Sequence, residues 1–170
     1  RALASLPGNG DFRAALEDSR WRNYPIGLGH VVLMADAALR PLASGHAAEL
    51  TDGLVAAVSR VTGRYDVPAG MAPDFWHDAR QTIEGRLRRA SLAAPHPVRD
   101  IPKEEFEVFF AQLPIHANLR GHDYVLVRNN LRVNLCRAYE DFLGRMDGPQ
   151  LVAALTATPA SAVPAGHAVG

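Results

Sequence analysis

Seven histidines in 170 residues invite a search for metal or acid–base chemistry, and their spacing decides what they can do. A helical metal site needs ligands at i and i+3 or i+4, because only those positions share a face. None of the histidines stands in an H-E-x-x-H or E-x-x-H pattern. His77 and Glu84 are about two helical turns apart, on the order of 10 Å of rise, too far to share one ion. His116 and His122 flank an irregular stretch, with Asp123 beside them, and could meet in proton transfer or around a ligand. His77-Asp78, following Phe75-Trp76, is a second acid–base pair, since an aromatic neighbour can desolvate an imidazole and move its pKa across neutrality. His30 precedes Met34 by one helical turn, a haem-like pairing, but no C-x-x-C-H attachment site accompanies it.

Other motifs fall short of a chemistry. Gly27-Leu28-Gly29 begins like a dinucleotide fingerprint, yet the third glycine position holds Val32, so the segment reads as a turn. Ser44 has Leu42 two residues before it, where a nucleophile elbow needs glycine. Arg80, Arg86, Arg88 and Arg89 could grip a phosphate or carboxylate, but Asp74, Asp78, Glu84 and Asp100 cancel most of their field. Asp36 lies in an apolar, Ala-rich run and as a buried carboxylate would need a cation, which an arginine of the 124–146 segment could supply. The lone Cys136 sits in an apolar stretch and reads as an inert buried thiol.

The most informative polar residues lie in that 124–146 segment. Val127, Leu131, Leu135, Ala138 and Phe142 form one apolar stripe, with Val125, Val133, Cys136, Tyr139 and Leu143 beside it. Such breadth implies a helix covered by neighbours on most of its circumference. Against it, Asn130, Asn134, Arg137 and Asp141 make a polar stripe flanked by Asn129, Arg128 and Arg132. Asparagine is a poor helix former, so three in so short a span need an offsetting role. Three roles fit: a solvated face, an oligomer interface whose amides fix register, or a pocket for a small anionic or carbonyl-bearing ligand. The candidate ligand-binding set is therefore Arg128, Asn130, Arg132, Asn134, His116 and His122; no cofactor is implied.

The positioning elements read as helices throughout. The pattern predicts a short helix from Asp11 that ends at Tyr24-Pro25, and a second over 26–39 before Pro41. Leu50, Leu54, Val58 and Val61 mark an amphipathic helix ending at Gly63, and Trp76, Ala79, Ile83, Leu87 and Ala90 another that opens at Asp74. Pro102 with Glu104 and Glu105 starts a helix carrying Phe106, Phe109, Phe110 and Leu113, and Asp123 caps the long helix 124–146. Asp147-Gly148-Pro149 turns into a last short helix over Leu151, Val152 and Leu155. The expected architecture is one all-α domain, residues 1–155, of five to seven helices around the 124–146 helix, with an Ala/Pro-rich flexible tail at 156–170.

Composition narrows the function. Eighteen Lys+Arg balance eighteen Asp+Glu, and each half is neutral too: seven against seven up to residue 70, eleven against eleven beyond it. That balance argues against nucleic acid or an anionic membrane as partner. No apolar run nears the ~20 residues of a membrane span. With no such run and no signal-peptide pattern the cytoplasm is the expected location, and seventeen arginines to one lysine point to a GC-rich bacterial genome. The expected function is a non-catalytic regulatory or protein-interaction domain, with homodimer as one form. The alternatives are a small-molecule-binding bundle with a polar pocket beside the 124–146 helix, and an enzyme using a His/Asp pair.

Overall fold

The structure, a computed structural model, describes residues 10–92, 103–114 and 117–157. It is all-α: six helices and no strand among the described residues. They are α1 (Gly10–Leu39), α2 (Ala47–Thr62), α3 (Phe75–Ser91), α4 (Lys103–Ala111), α5 (Ala117–Arg145) and α6 (Gly148–Thr156), with a 3-10 turn over Arg40–Leu42 after α1.

The expected break at Tyr24-Pro25 does not occur: α1 runs through Pro25 as one 30-residue helix. Proline inside a helix removes one N–H and strains the turn before it, at about 3 kcal/mol. Packing on both sides of Pro25 offsets this. Upstream, Trp21 and Tyr24 lock into a ring cluster with Tyr65 and Trp76, all at centroid separations between 5.6 and 6.1 Å. Downstream, Val32, Ala35 and Leu39 enter the core. Gly27 and Gly29 accordingly lie inside the helix and not in a turn. Gly29 lets α1 approach α3, since a Cβ there would stand 3.3 Å from Ile83 Cγ1.

The core is built where α1, α2, α3 and α6 meet. Leu39, Leu50 and Leu87 are fully buried, joined by Leu54, Val58, Ile83 and Leu155. Each such side chain stabilises the fold by about 1.5–3 kcal/mol of transfer free energy. The predicted faces of α2 and α3 are therefore the faces that pack. Asp147 caps α6, its Oδ1 accepting the Gln150 N–H at 3.0 Å, with Pro149 in the first turn.

The central place expected of the long apolar helix is not confirmed among the described residues. Among described residues α5 contributes only Phe142 and, just past its end, Met146 to the periphery of the core, while Val125, Leu126 and Val133 are exposed. Among the described residues α1 packs against each of the other five helices, and its continuity through Pro25 provides a core-facing length that two separate short helices would not. The start of the long helix also differs: α5 begins at Ala117 and passes through Gly121, so position 123 is helix interior and not a cap. The stretch 158–170 lies outside the described residues.

Candidate functional site

The candidate set from α5 is not gathered into one place. Asn130 and Asn134 are exposed, as are Asn129, Arg137 and Asp141 of the same stripe. Arg128 is half-buried, with its guanidinium 5.9 Å from the Tyr124 ring centre and its buried Nε lacking a hydrogen-bond partner among the described residues. The side chains of Arg132, His122, Asp123 and Cys136, and all of His116, lie outside the described residues. None of the three cavities found between described helices is lined by a member of this set.

His77 and Asp78 are both exposed at the start of α3. Asp78 borders a cleft of about 310 Å³ between α1 and α3, together with Pro25, Phe75, Thr82 and Arg86, whereas His77 does not. The arginines of α3 serve separate partners. Arg88 bridges Glu84 at 2.8 Å and Asp52 at 3.1 Å, and Arg80 Nη1 donates to Thr62 Oγ1 at 3.3 Å. Burial lowers the pKa of Arg86, and the nearby charge of Arg89 lowers it further. No group of three or more His, Cys, Asp or Glu among the described residues could hold a metal ion.

Among the described side chains, four polar ones of α1 are buried: Ser19, Asn23, His30 and Asp36. Asp36 has the cation it was expected to need, but from the 3-10 turn that continues its own helix: Arg40, four residues on, pairs with Asp36 Oδ2, and Arg40 Nη1 donates to the Ala90 carbonyl of α3 at 2.8 Å. Burial pushes the Asp36 carboxyl above its ordinary range, against the opposing pull of Arg40. His30, facing Arg86, has its pKa lowered, first by burial and then by that positive charge, so it stays neutral. Both arrangements set a buried ionisable group of α1 beside an arginine, Asp36 with Arg40 and His30 with Arg86.

The aromatic cluster is a packed one. An aromatic cage holds a cation between separated ring faces. Here the rings touch one another, Tyr65 stacking on Trp76 at 30° and Trp21 meeting Trp76 edge-on at 84°, and the Trp76 indole N–H donates to the Asp66 carbonyl at 3.0 Å.

The remaining feature is a groove of about 550 Å³ between α1 and α4. Its α1 wall is a regular stripe, Leu16, Ser19, Arg20, Asn23, Tyr24, Gly27, Leu28 and Val31, and Phe109 and Leu113 face it. Asn23 is the one strongly buried amide among the described residues, 6% exposed. Its Nδ2 donates weakly to Ser19 Oγ at 3.4 Å, and its Oδ1 has no partner among the described residues. The sequence marks none of these as a candidate site residue, although Tyr24, Gly27, Leu28, Phe109 and Leu113 figure in it as helix-end, turn and helix-face positions; the expected stop at Pro25 divides the stripe in two. A further cavity of about 650 Å³ lies at the α5–α6 junction, between Phe142, Arg145, Gln150 and Leu151.

Comparison with protein-family models, with curated proteins and with solved structures finds no match to this chain. Among the described residues no helix is long and apolar enough to cross a membrane.

Proposed function

We propose that this chain is a non-catalytic helical interaction module that associates with a second copy of itself through the outer face of α5. One observation carries the reading: Leu126 and Val133, 63% and 49% exposed, lie on the same side of α5 among the exposed amides Asn129, Asn130 and Asn134. Solvent-facing apolar residues spaced along a helix are the raw material of an interface. Interspersed amides are the usual device for fixing register in one. The zero net charge removes the long-range repulsion that two copies of a strongly charged chain would meet, and Arg137 and Asp141 carry opposite signs on the same stripe. We take the module to work in a bacterial cytoplasm, in line with its arginine-rich composition and lone cysteine.

Light scattering across a wide concentration range tests the reading. The expected result is a dimer mass that Leu126→Glu with Val133→Glu converts to monomer without loss of helix content. A monomer at every concentration, or a dimer indifferent to both substitutions, would sink it.

A further inference from the structure

We infer that the α1–α4 groove is a binding site for an uncharged, largely apolar small molecule carrying one hydrogen-bond donor, which Asn23 Oδ1 accepts. The volume, about 550 Å³, falls within the ~300–1,000 Å³ typical of small-molecule sites. The walls select for an apolar body: Leu16, Leu28, Val31, Phe109 and Leu113 supply most of the lining. Leu16 and Val31 are about half exposed, so apolar surface is left over at both ends of the α1 stripe.

The amide selects for the donor. A buried carbonyl-type oxygen with no partner destabilises the folded chain by about 1–3 kcal/mol, so a side chain in that state needs an explanation. In the orientation the structure gives, Nδ2 is the end that bonds, to Ser19 Oγ, and Oδ1 is the end left without a partner among the described residues. An apolar residue at position 23 would pack the same face of α1 at no such cost. The oxygen sits below the groove surface, so a ligand reaches it by spreading the walls. The wall that yields is α4, a helix of nine residues that packs against α1. Gly27 completes the site: a Cβ built there meets nothing within 4 Å, so the groove is open beside it. The inference concerns α1 and α4 and is independent of the α5 face.

The probe is N-phenyl-1-naphthylamine, an uncharged two-ring fluorophore with a single N–H, titrated into the full chain. Its carbon analogue 1-benzylnaphthalene, which replaces that N–H by CH2, is measured by displacement. The expected result is saturable fluorescence enhancement at one site, with a preference for the amine of about tenfold, the worth of one hydrogen bond to an otherwise unsatisfied buried group. Gly27→Leu fills the groove and should abolish binding, with far-UV circular dichroism confirming an intact fold. Asn23→Leu should retain binding and lose the preference; should that variant not fold, the wild-type preference and the Gly27→Leu loss decide alone. Absence of saturable enhancement, enhancement unchanged in Gly27→Leu, or equal affinity of wild type for the two probes would each overturn the site.

Discussion

Gly53 of α2 lies directly against the backbone carbonyl of Leu155 in α6, closer than any side chain would permit: a Cβ at position 53 would overlap that oxygen and come within 3.0 Å of the Leu155 Cβ. The two helices are thus joined at a point where glycine is required by space and not by backbone conformation. Since the obstruction is backbone, it cannot rotate away. Gly53→Ala should therefore destabilise the chain by about 1–3 kcal/mol, the usual cost of overpacking, despite the ~1 kcal/mol that alanine ordinarily gains over glycine inside a helix. Gly27→Ala provides the contrast. Its Cβ would enter open space, so the propensity gain of up to about 1 kcal/mol should appear unopposed. Urea denaturation of both variants checks the opposite signs.

Asp36 and Arg40 form an ion pair in which both side chains are almost wholly buried, and Arg40 also ties the end of α1 to the Ala90 carbonyl. Removing one charge strands the other in a medium that solvates it poorly. Asp36→Leu alone should cost about 3–5 kcal/mol, and Arg40→Leu a similar amount. The double variant should cost well under the sum of the two, because no buried charge remains. A double-mutant cycle by chemical denaturation reads the coupling; additive losses would show that the pair does not act as a unit.

The parts of this architecture that could be read from residues alone are those in which one helix carries its own apolar period. The Leu50–Leu54–Val58 and Trp76–Ala79–Ile83–Leu87 faces are buried as their spacing demands. What spacing cannot convey is how strongly tertiary contacts override a local signal. Pro25 is a genuine helix-breaking signal, yet aromatic packing before it and core packing after it keep α1 whole. That single override made α1 one long core-facing helix and concealed the groove stripe. Asp36 illustrates the same limit at the scale of one residue. Its burial and its need of a cation followed from its apolar surroundings, and Arg40 stands one helical turn on, just past a helix expected to reach residue 39; spacing alone did not convey that this nearer arginine, and not one of the 124–146 segment, is buried with it. The α5 amides are different again, since an apolar helix with a polar stripe is equally consistent with a chain's own core and with a surface awaiting a partner.

Trp76 is the most buried ring of the aromatic cluster, and its indole N–H is tied to the Asp66 carbonyl. Trp76→Ala should destabilise by about 3–5 kcal/mol, a large-to-small change in a packed site. Trp76→Phe keeps most of the area and loses the hydrogen bond, so it should cost about 1 kcal/mol. Both should weaken the near-UV circular dichroism of the folded chain, because Trp21, Tyr24 and Tyr65 all lie within 6.0 Å of the Trp76 ring centre. An unchanged near-UV spectrum would mean that the rings do not hold one arrangement in solution.

His30 makes the stability of the fold dependent on acidity, with a sign that follows from its surroundings. Burial and the Arg86 charge place its folded pKa below the ordinary 6.5. As pH falls past 6.5 the unfolded chain takes up a proton that the folded chain still refuses. The contribution of His30 is thus fully present above 6.5 and is lost as pH falls toward the lowered folded value, at no more than about 1.4 kcal/mol per pH unit for one proton. Asp36 acts in the opposite direction. Its carboxyl is raised above 3.8, so on acidification the folded chain binds that proton first, which favours folding between the raised value and 3.8. The urea midpoint of the wild-type chain should therefore decline as pH is lowered from 6.5, and His30→Met, uncharged throughout, should flatten that decline. Arg86→Met should narrow it from the other side, by letting the imidazole keep its proton to a higher pH inside the fold. Equal slopes in the wild-type and His30→Met chains would place the acid sensitivity on another group.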